Sequence, residues 1–448
     1  MALTSLLYLC SFFAGIVLSF VRNPIFGLVT YVLVLFLTPE ARWWSAGLPS
    51  LRWSFIAAIM VLVGVLLHSQ RFDLRTGFFK HGAAWFLMVF VALIVAQYPF
   101  ALSQPLQLNL LILLVKYVVL MYLTYTILRD ETSVKLFLFA YIAGAWYWGW
   151  LAYSSYEGGR FENFGADVDS NGAGLMLACG TFVAASLMLV ANWPQRFLIV
   201  ALIPFIVNGM ITTVSRGAFL AFVCGGLTYV MLSPRYLRRW VYPLSVLALV
   251  LFLMLTNEQY WDRISSILYA GEEVEGVDTG SSRLQIMGIQ LKMARQHPKG
   301  TGHKGTMLLS PQYMGDDLLT GWGENRRRAS HNTFLSFLVD HGAIGAFLYV
   351  CLTGWFLVAV LRAHRTLRNT RGLYAVMVPM LGAIAVTLAI SDLTVNYLKL
   401  EIRYWFIALM MVVLNEIRKG TKVPERVEQR AAGPRRPRSY LNWHEPSP

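Results

Sequence analysis

Arg326, Arg327 and Arg328, with His331 just behind them, stand directly in front of an apolar run that starts at Asn332 and is long enough to enter a bilayer. Guanidinium groups fork onto phosphate and carboxylate oxygens, and a neutral imidazole accepts a proton from a hydroxyl. Together they suit the binding of an anion and the activation of an alcohol. The charge pattern puts three more arginines on the same membrane face: Arg160 in EGGRFENFGADVDSNG, Arg216 in TTVSRGAFLAF, and Arg283 at the start of SRLQIMGIQLKMARQHP. Arg216 is the most constrained. Its turn has only a residue or two of polar sequence, so the charge lies at the membrane boundary, which is costly unless it snorkels or meets an anion. His331 is expected in the first turn of the following helix, where the positive end of the helix dipole and nearby arginines disfavour imidazolium. Asp167, Asp169 and Asp392 are acids on that face able to orient the imidazole or neutralise an arginine. Asp392, in LAISDLTVNYL, is best placed, at the mouth of an ascending span.

Each of these residues also has a plainer reading. Arg216 could be a snorkelling anchor, Arg160 and Arg283 solvated surface residues, Arg326 to Arg328 a headgroup anchor, and His331 a polar cap. The convergence of six arginines on the face where positive charge is normally sparse favours a bound anion at the outer interface. GTGHKGT (300–306) is rich in glycine but lacks the ending of a phosphate-binding loop, and reads as a turn. DVD (167–169) imitates the D-x-D of metal-dependent glycosyltransferases but is too short to be specific. No metal site and no cofactor are assigned.

These residues need a membrane framework. The chain has 448 residues, of which 56% are hydrophobic and 14% charged, against about 25% charged in soluble domains. Thirteen apolar segments, the first at 3–20 and the last at 403–417, have lengths that suit bilayer crossing. The fold class expected is all-α, polytopic and membrane-embedded. The first segment lacks a basic n-region and a cleavage site, so it reads as a retained span. The basic loops 69–81, 233–240 and 361–372 and the basic tail belong in the cytoplasm, which puts 154–171, 214–217, 257–331 and 391–402 outside. The chain therefore divides into N-terminal membrane helices (1–256), a large external loop (257–331), C-terminal membrane helices (332–418) and a basic tail (419–448) whose composition predicts disorder. Within the loop, SRLQIMGIQLKMARQHP predicts a short amphipathic helix with Leu284, Met287, Leu291 and Ala294 on one face, capped by Ser281 or Ser282 and ended by Pro298. The four cysteines (Cys10, Cys179, Cys224 and Cys351) all fall in apolar segments, which supports neither a disulfide framework nor a zinc site. Much of the net charge of +14 sits in membrane-flanking loops and the tail, so it does not point to nucleic acid.

SHNTFLSFLVDHGAIG resembles the H-N-x-x-L…G-x-x-G signature of the O-antigen ligase superfamily, which includes lipopolysaccharide O-antigen ligases, O-antigen polymerases and protein O-oligosaccharyltransferases. TVSRGAFLAF is similar to that family's S-R-G turn, and SSRLQIMGIQLKMARQHPKGTGHKG to its loop element with an arginine and a later P-x-G-x-G. The three segments cover about 50 residues. FVRNPIFGLVTYVLVLFLTPEARWW looks more like a ligase-like branch found beside exosortase systems. The resemblance implies about 12 transmembrane helices and one large periplasmic loop containing short helices. It also implies a multi-pass protein of the bacterial inner membrane with its active site on the periplasmic face, which moves a glycan from undecaprenyl pyrophosphate to an acceptor hydroxyl such as one on lipid A–core. On that resemblance Arg216 and Arg283 clamp the pyrophosphate and His331 activates the hydroxyl, without a metal. Asp392 matches an acidic residue near the last external loop less closely. Arg160, Arg326, Arg327 and Arg328 are candidates for substrate contact, and a transporter of an anionic lipid-linked sugar is the alternative from another class.

Overall fold

The computed structural model describes residues 3–70, 77–165, 168–256, 261, 281–319, 326–396 and 400–420, and among them every helix or strand assigned is a helix. The acidic start of the large loop (apart from residue 261) and the tail from 421 lie outside the described residues. Each of the thirteen apolar segments forms a helix. The first ten are α1 (Leu3–Val21), α2 (Ile25–Leu37), α3 (Trp53–Leu67), α4 (Gly82–Gln97), α5 (Gln104–Ile127), α6 (Glu131–Ser154), α7 (Ser170–Val190), α8 (Trp193–Thr212), α9 (Arg216–Leu232) and α10 (Arg238–Leu255). The polar region adds α11 (Ser281–Gln296) and α12 (Gly305–Tyr313), and the chain continues in α13 (Thr333–Leu367), α14 (Leu373–Ser391) and α15 (Ile402–Gly420).

Local chemistry sets the helix starts. Asn192 and Gln195 form a reciprocal capping box at α8, with a proline in its first turn. Asp130 accepts from the Ser133 amide at α6. Seven described helices are long and apolar enough to cross a membrane, or eight if α9 and the start of α10, bent by 107°, form one broken span. The step to about twelve would come from α2 and α3, apolar but only 13 and 15 residues long, and from α6 and α15, whose tryptophans, tyrosines and charges lower their mean hydropathy.

The main core joins α1 to α10 with α13 to α15. A second, smaller core packs α11 and α12 against the start of α13, through Ile286, Met293, Ala294, Leu309, Met314 and Val339. This corrects the face expected for α11. Leu284 is 54% and Leu291 44% exposed, while Ile286, Gln290 and Met293 turn inward. The buried stripe keeps the helical spacing, but a glutamine holds one of its central positions, so a search for apolar residues misplaces it.

Helix α13 is broken at Gly342 (φ 67°, ψ −171°). There the backbone runs so close to Pro298–Gly300 that a Cβ on Gly342 would lie 2.6 Å from the Pro298 carbonyl oxygen. The facing residue Gly300 has φ 85° and the same crowding in return. The positive-φ backbone and the missing side chain are both needed at this crossing.

Candidate functional site

Four helix N-termini meet at one end of the bundle, and in three of them a capping residue fixes the direction of its neighbour. Asp169 caps α7 by accepting from the Gly172 amide at 2.8 Å, Ser215 caps α9 through Ala218 at 3.2 Å, and Asn332 caps α13 through Leu335 at 3.0 Å. The Ser215 hydroxyl also donates to Asn171 Oδ1 at 2.8 Å, which ties α9 to α7. Helix α13 is tied to the 391–396 turn, where Thr333 donates its amide to the Asp392 carbonyl and its hydroxyl to the Val395 carbonyl, both at 2.7 Å. On the other side of that turn, a Cβ on Gly217 would meet Thr394 Oγ1 at 2.5 Å. The S-R-G turn thus divides its labour: serine caps, glycine permits close approach, and the arginine between them occupies the first helical position.

Arg216 opens α9 and Arg283 lies in the first turn of α11. Cations are disfavoured there, because a helix N-terminus already carries partial positive charge, and an anion relieves both charges at once. The two arginines line one small polar cavity with Arg160, Asn171, Val214, Ser215, Gly217, Thr394 and Val395. Arg160 is hooked in place through Nε, which donates to the Thr213 carbonyl at 3.1 Å, while the Phe161 amide takes the Thr212 carbonyl. Its loop is held from behind by Arg42, which is buried and donates to the carbonyls of Leu37, Asn163 and Phe164.

His331 lies beside this cavity. It is not in the first turn of α13 as expected but one residue ahead of the Asn332 cap, because asparagine supplies the capping oxygen. Burial, then Arg283 and Arg328, push the imidazole down to about 4, with Asp169 opposing them. It is therefore neutral at physiological pH and able to accept a proton. Its loop is pinned by Gln290, whose Nε2 donates to Ser330 Oγ at 2.8 Å and to Thr306 Oγ1 at 3.2 Å.

Residues 197–350 match the family model described as O-antigen ligase. That segment belongs to the O-antigen ligase superfamily. No curated protein matches the chain. The match implies a glycosyltransferase of the O-antigen ligase and polymerase type, embedded in a membrane and acting on a lipid-linked glycan and a lipid acceptor. It runs from α8 into α13 and takes in Arg216, Arg283, Arg326 to Arg328 and His331. Arg160, Asn171, Thr394 and Val395 complete the cavity from outside the matched segment.

The structure separates the other candidates. Of the three consecutive arginines, Arg328 faces His331, while Arg326 turns away to pair with Asp316 at 3.1 Å and Arg327 is exposed. Asp169 is a helix cap, and Asp167 lies outside the described residues. The placement of Asp392 at an open mouth is corrected. Its side chain is 0% exposed, and Arg403 Nη2 donates to both carboxylate oxygens at 2.7 Å, as does the Tyr349 hydroxyl to Oδ2. A carboxylate next to a buried arginine is drawn into the bundle and is closed to substrate. The sequence reading missed Asn171, Thr394, Arg42 and Gln290. Asn171 lies two residues past the D-x-D imitation, and its polar neighbours were its only signal.

Proposed function

We propose that the protein is an O-antigen ligase that transfers O-antigen glycan from undecaprenyl pyrophosphate to a hydroxyl of lipid A–core. The observation that carries this reading is the cavity where Arg160, Arg216 and Arg283 meet at two helix N-termini beside a neutral His331. In the proposed reaction the acceptor hydroxyl gives its proton to the His331 imidazole and its oxygen attacks the anomeric carbon. The bond from that carbon to the pyrophosphate oxygen breaks, and the departing oxygen keeps the electron pair. Guanidinium groups and helix ends already aimed at the pyrophosphate meet the developing charge, a preorganised effect worth about 3–4 kcal/mol for a single donor. A direct displacement inverts the anomeric centre, and nothing in its balance calls for a metal ion. Arg328 beside His331, with the exposed Arg327 next to it in the chain, suits an acceptor that carries phosphate groups.

In the proposed topology of about twelve spans, the basic loops face the cytoplasm of the inner membrane and the cavity faces the periplasm. O-antigen polymerase and protein O-oligosaccharyltransferase use the same donor chemistry and differ in acceptor. Purified protein is to be incubated with the lipid-linked glycan and lipid A–core, with wild type compared against His331→Ala and Arg216→Ala. Glycan on lipid A–core, formed by the wild type and lost in both variants, is the expected result. Extension of the donor glycan with unmodified lipid A–core would replace the ligase reading with the polymerase one. Movement of the donor across the membrane without any transfer would make the protein a transporter.

A further inference from the structure

Away from the arginine cavity, the break in α13 gathers a second group of side chains that the transfer reaction does not use. His303 comes from the GTGHKGT turn, and Asp340 and His341 come from the residues just before Gly342. One ligand atom from each lies within 4.8 Å of the others, and His303 Nδ1 stands 3.9 Å from Asp340 Oδ2. The side chains of His303 and Asp340 are 11% and 6% exposed, and His341 is 2% exposed.

We propose that His303, Asp340 and His341 bind a divalent zinc ion that clamps the 299–305 turn onto the broken helix. Two imidazoles and one carboxylate are a donor set that suits a late first-row divalent cation, zinc above all. Tetrahedral zinc, with bonds of about 2.0–2.1 Å, sets its ligands roughly 3.3–3.4 Å apart, so the three side chains need only small adjustments.

The surroundings of His341 supply an independent observation. Gln97 donates Nε2 to the Lys299 carbonyl at 2.9 Å, which leaves its Oε1 facing His341 Nδ1 at 3.0 Å. An amide oxygen can only accept, so Nδ1 carries the proton and Nε2 keeps its lone pair. A histidine whose second nitrogen donates to an oxygen is the usual arrangement behind a metal ligand. Asp340 also has capacity to spare. It accepts from the Lys304 amide at 2.8 Å, weakly from Thr306 at 3.4 Å and from the Gly305 amide, and a carboxylate offers about four lone-pair sites. With three protein ligands, water would take the fourth position of the tetrahedron, and the ion would act on the turn and not on the transfer reaction. Asp340 lies eight residues past Asn332, or about 12 Å of helix, and is closed off from the acceptor side.

The test uses the full chain in detergent with any affinity tag removed, stripped with chelator, reloaded with Zn²⁺ and dialysed. The expected content is about one zinc per chain, with Co²⁺ in its place giving the intense visible absorption of a tetrahedral site. His303→Ala and His341→Ala should retain less than about a tenth of the zinc, and Gln97→Leu, with all three ligands intact, should weaken binding about 10- to 100-fold. Gel filtration and circular dichroism identify any variant that fails to fold, in which case the Gln97→Leu affinity and the wild-type Co²⁺ spectrum decide. A wild type that holds no zinc and gives no Co²⁺ band, or a His341→Ala protein that keeps full zinc, would overturn the proposal. None of these readouts depends on glycan transfer.

Discussion

A single buried arginine and a group of three lie in contrasting surroundings in this molecule. Arg403 is enclosed between Asp392 and Tyr349, with a side chain 4% exposed and both carboxylate oxygens engaged at 2.7 Å. One turn of chain away, Arg160, Arg216 and Arg283 line an open polar cavity where helix N-termini add further positive charge. The first has its counter-ion built in and ties Asp392, at the end of α14, and Arg403, in α15, to Tyr349 of α13. The second lines a cavity that, in the proposed function, holds the donor pyrophosphate, with Glu162 Oε1 3.9 Å from Arg160. Residue type does not separate the two; enclosure does.

Mutations sharpen that contrast. The largest effect is expected at His331, where alanine should lower the rate of transfer about 1,000-fold, within the range for loss of a general base, while donor affinity stays within a few-fold. Single-turnover transfer at saturating donor measures this. Arg216→Ala should cost about 100- to 1,000-fold in kcat/KM with an unchanged melting temperature, and Arg216→Lys should not restore it, since an ammonium cannot fork onto phosphate. Asp392→Ala should do the reverse. It leaves Arg403 as a buried charge without its carboxylate and should destabilise the fold by about 3–5 kcal/mol, seen as a lowered melting temperature, while the folded fraction keeps its turnover.

A smaller effect concerns pH. Because His331 is held down to about 4, kcat/KM should stay level through neutrality and fall only as pH drops through about 4, where the imidazole gains a proton and stops accepting one. Bound pyrophosphate is negative and favours imidazolium, so the acidic limb of kcat, which reports the enzyme–donor complex, should lie at higher pH than that of kcat/KM. The smallest effect is expected for Arg326→Ala. Arg326 pairs with an exposed Asp316, and the change in transfer should stay within about twofold, as for most surface pairs.

Much of this was legible in the sequence, for identifiable reasons. Apolar run length located all thirteen segments that became helices, but the caps went unread: His331 was expected inside the first turn of α13, whereas Asn332 caps that helix and Ser215 caps α9. What stayed hidden depends on contacts between distant segments. Asp392 looked exposed because Arg403, its partner, is part of an apolar segment read as a span. Gln290 broke the apolar pattern of α11, and that break was itself the sign of a buried polar tie to Ser330. The interruption of α13 requires Gly342 and Gly300 together, 42 positions apart, and a single glycine in a helical run did not announce it.

The central claim is that the arginine cavity receives pyrophosphate while His331 serves the acceptor. The most direct measurement compares equilibrium binding of undecaprenyl pyrophosphate with that of undecaprenol to the wild type, Arg216→Ala, Arg283→Ala and His331→Ala. The account predicts that the wild type and His331→Ala both prefer the pyrophosphate lipid strongly and that each arginine variant loses that preference. An undiminished preference in both arginine variants would contradict it.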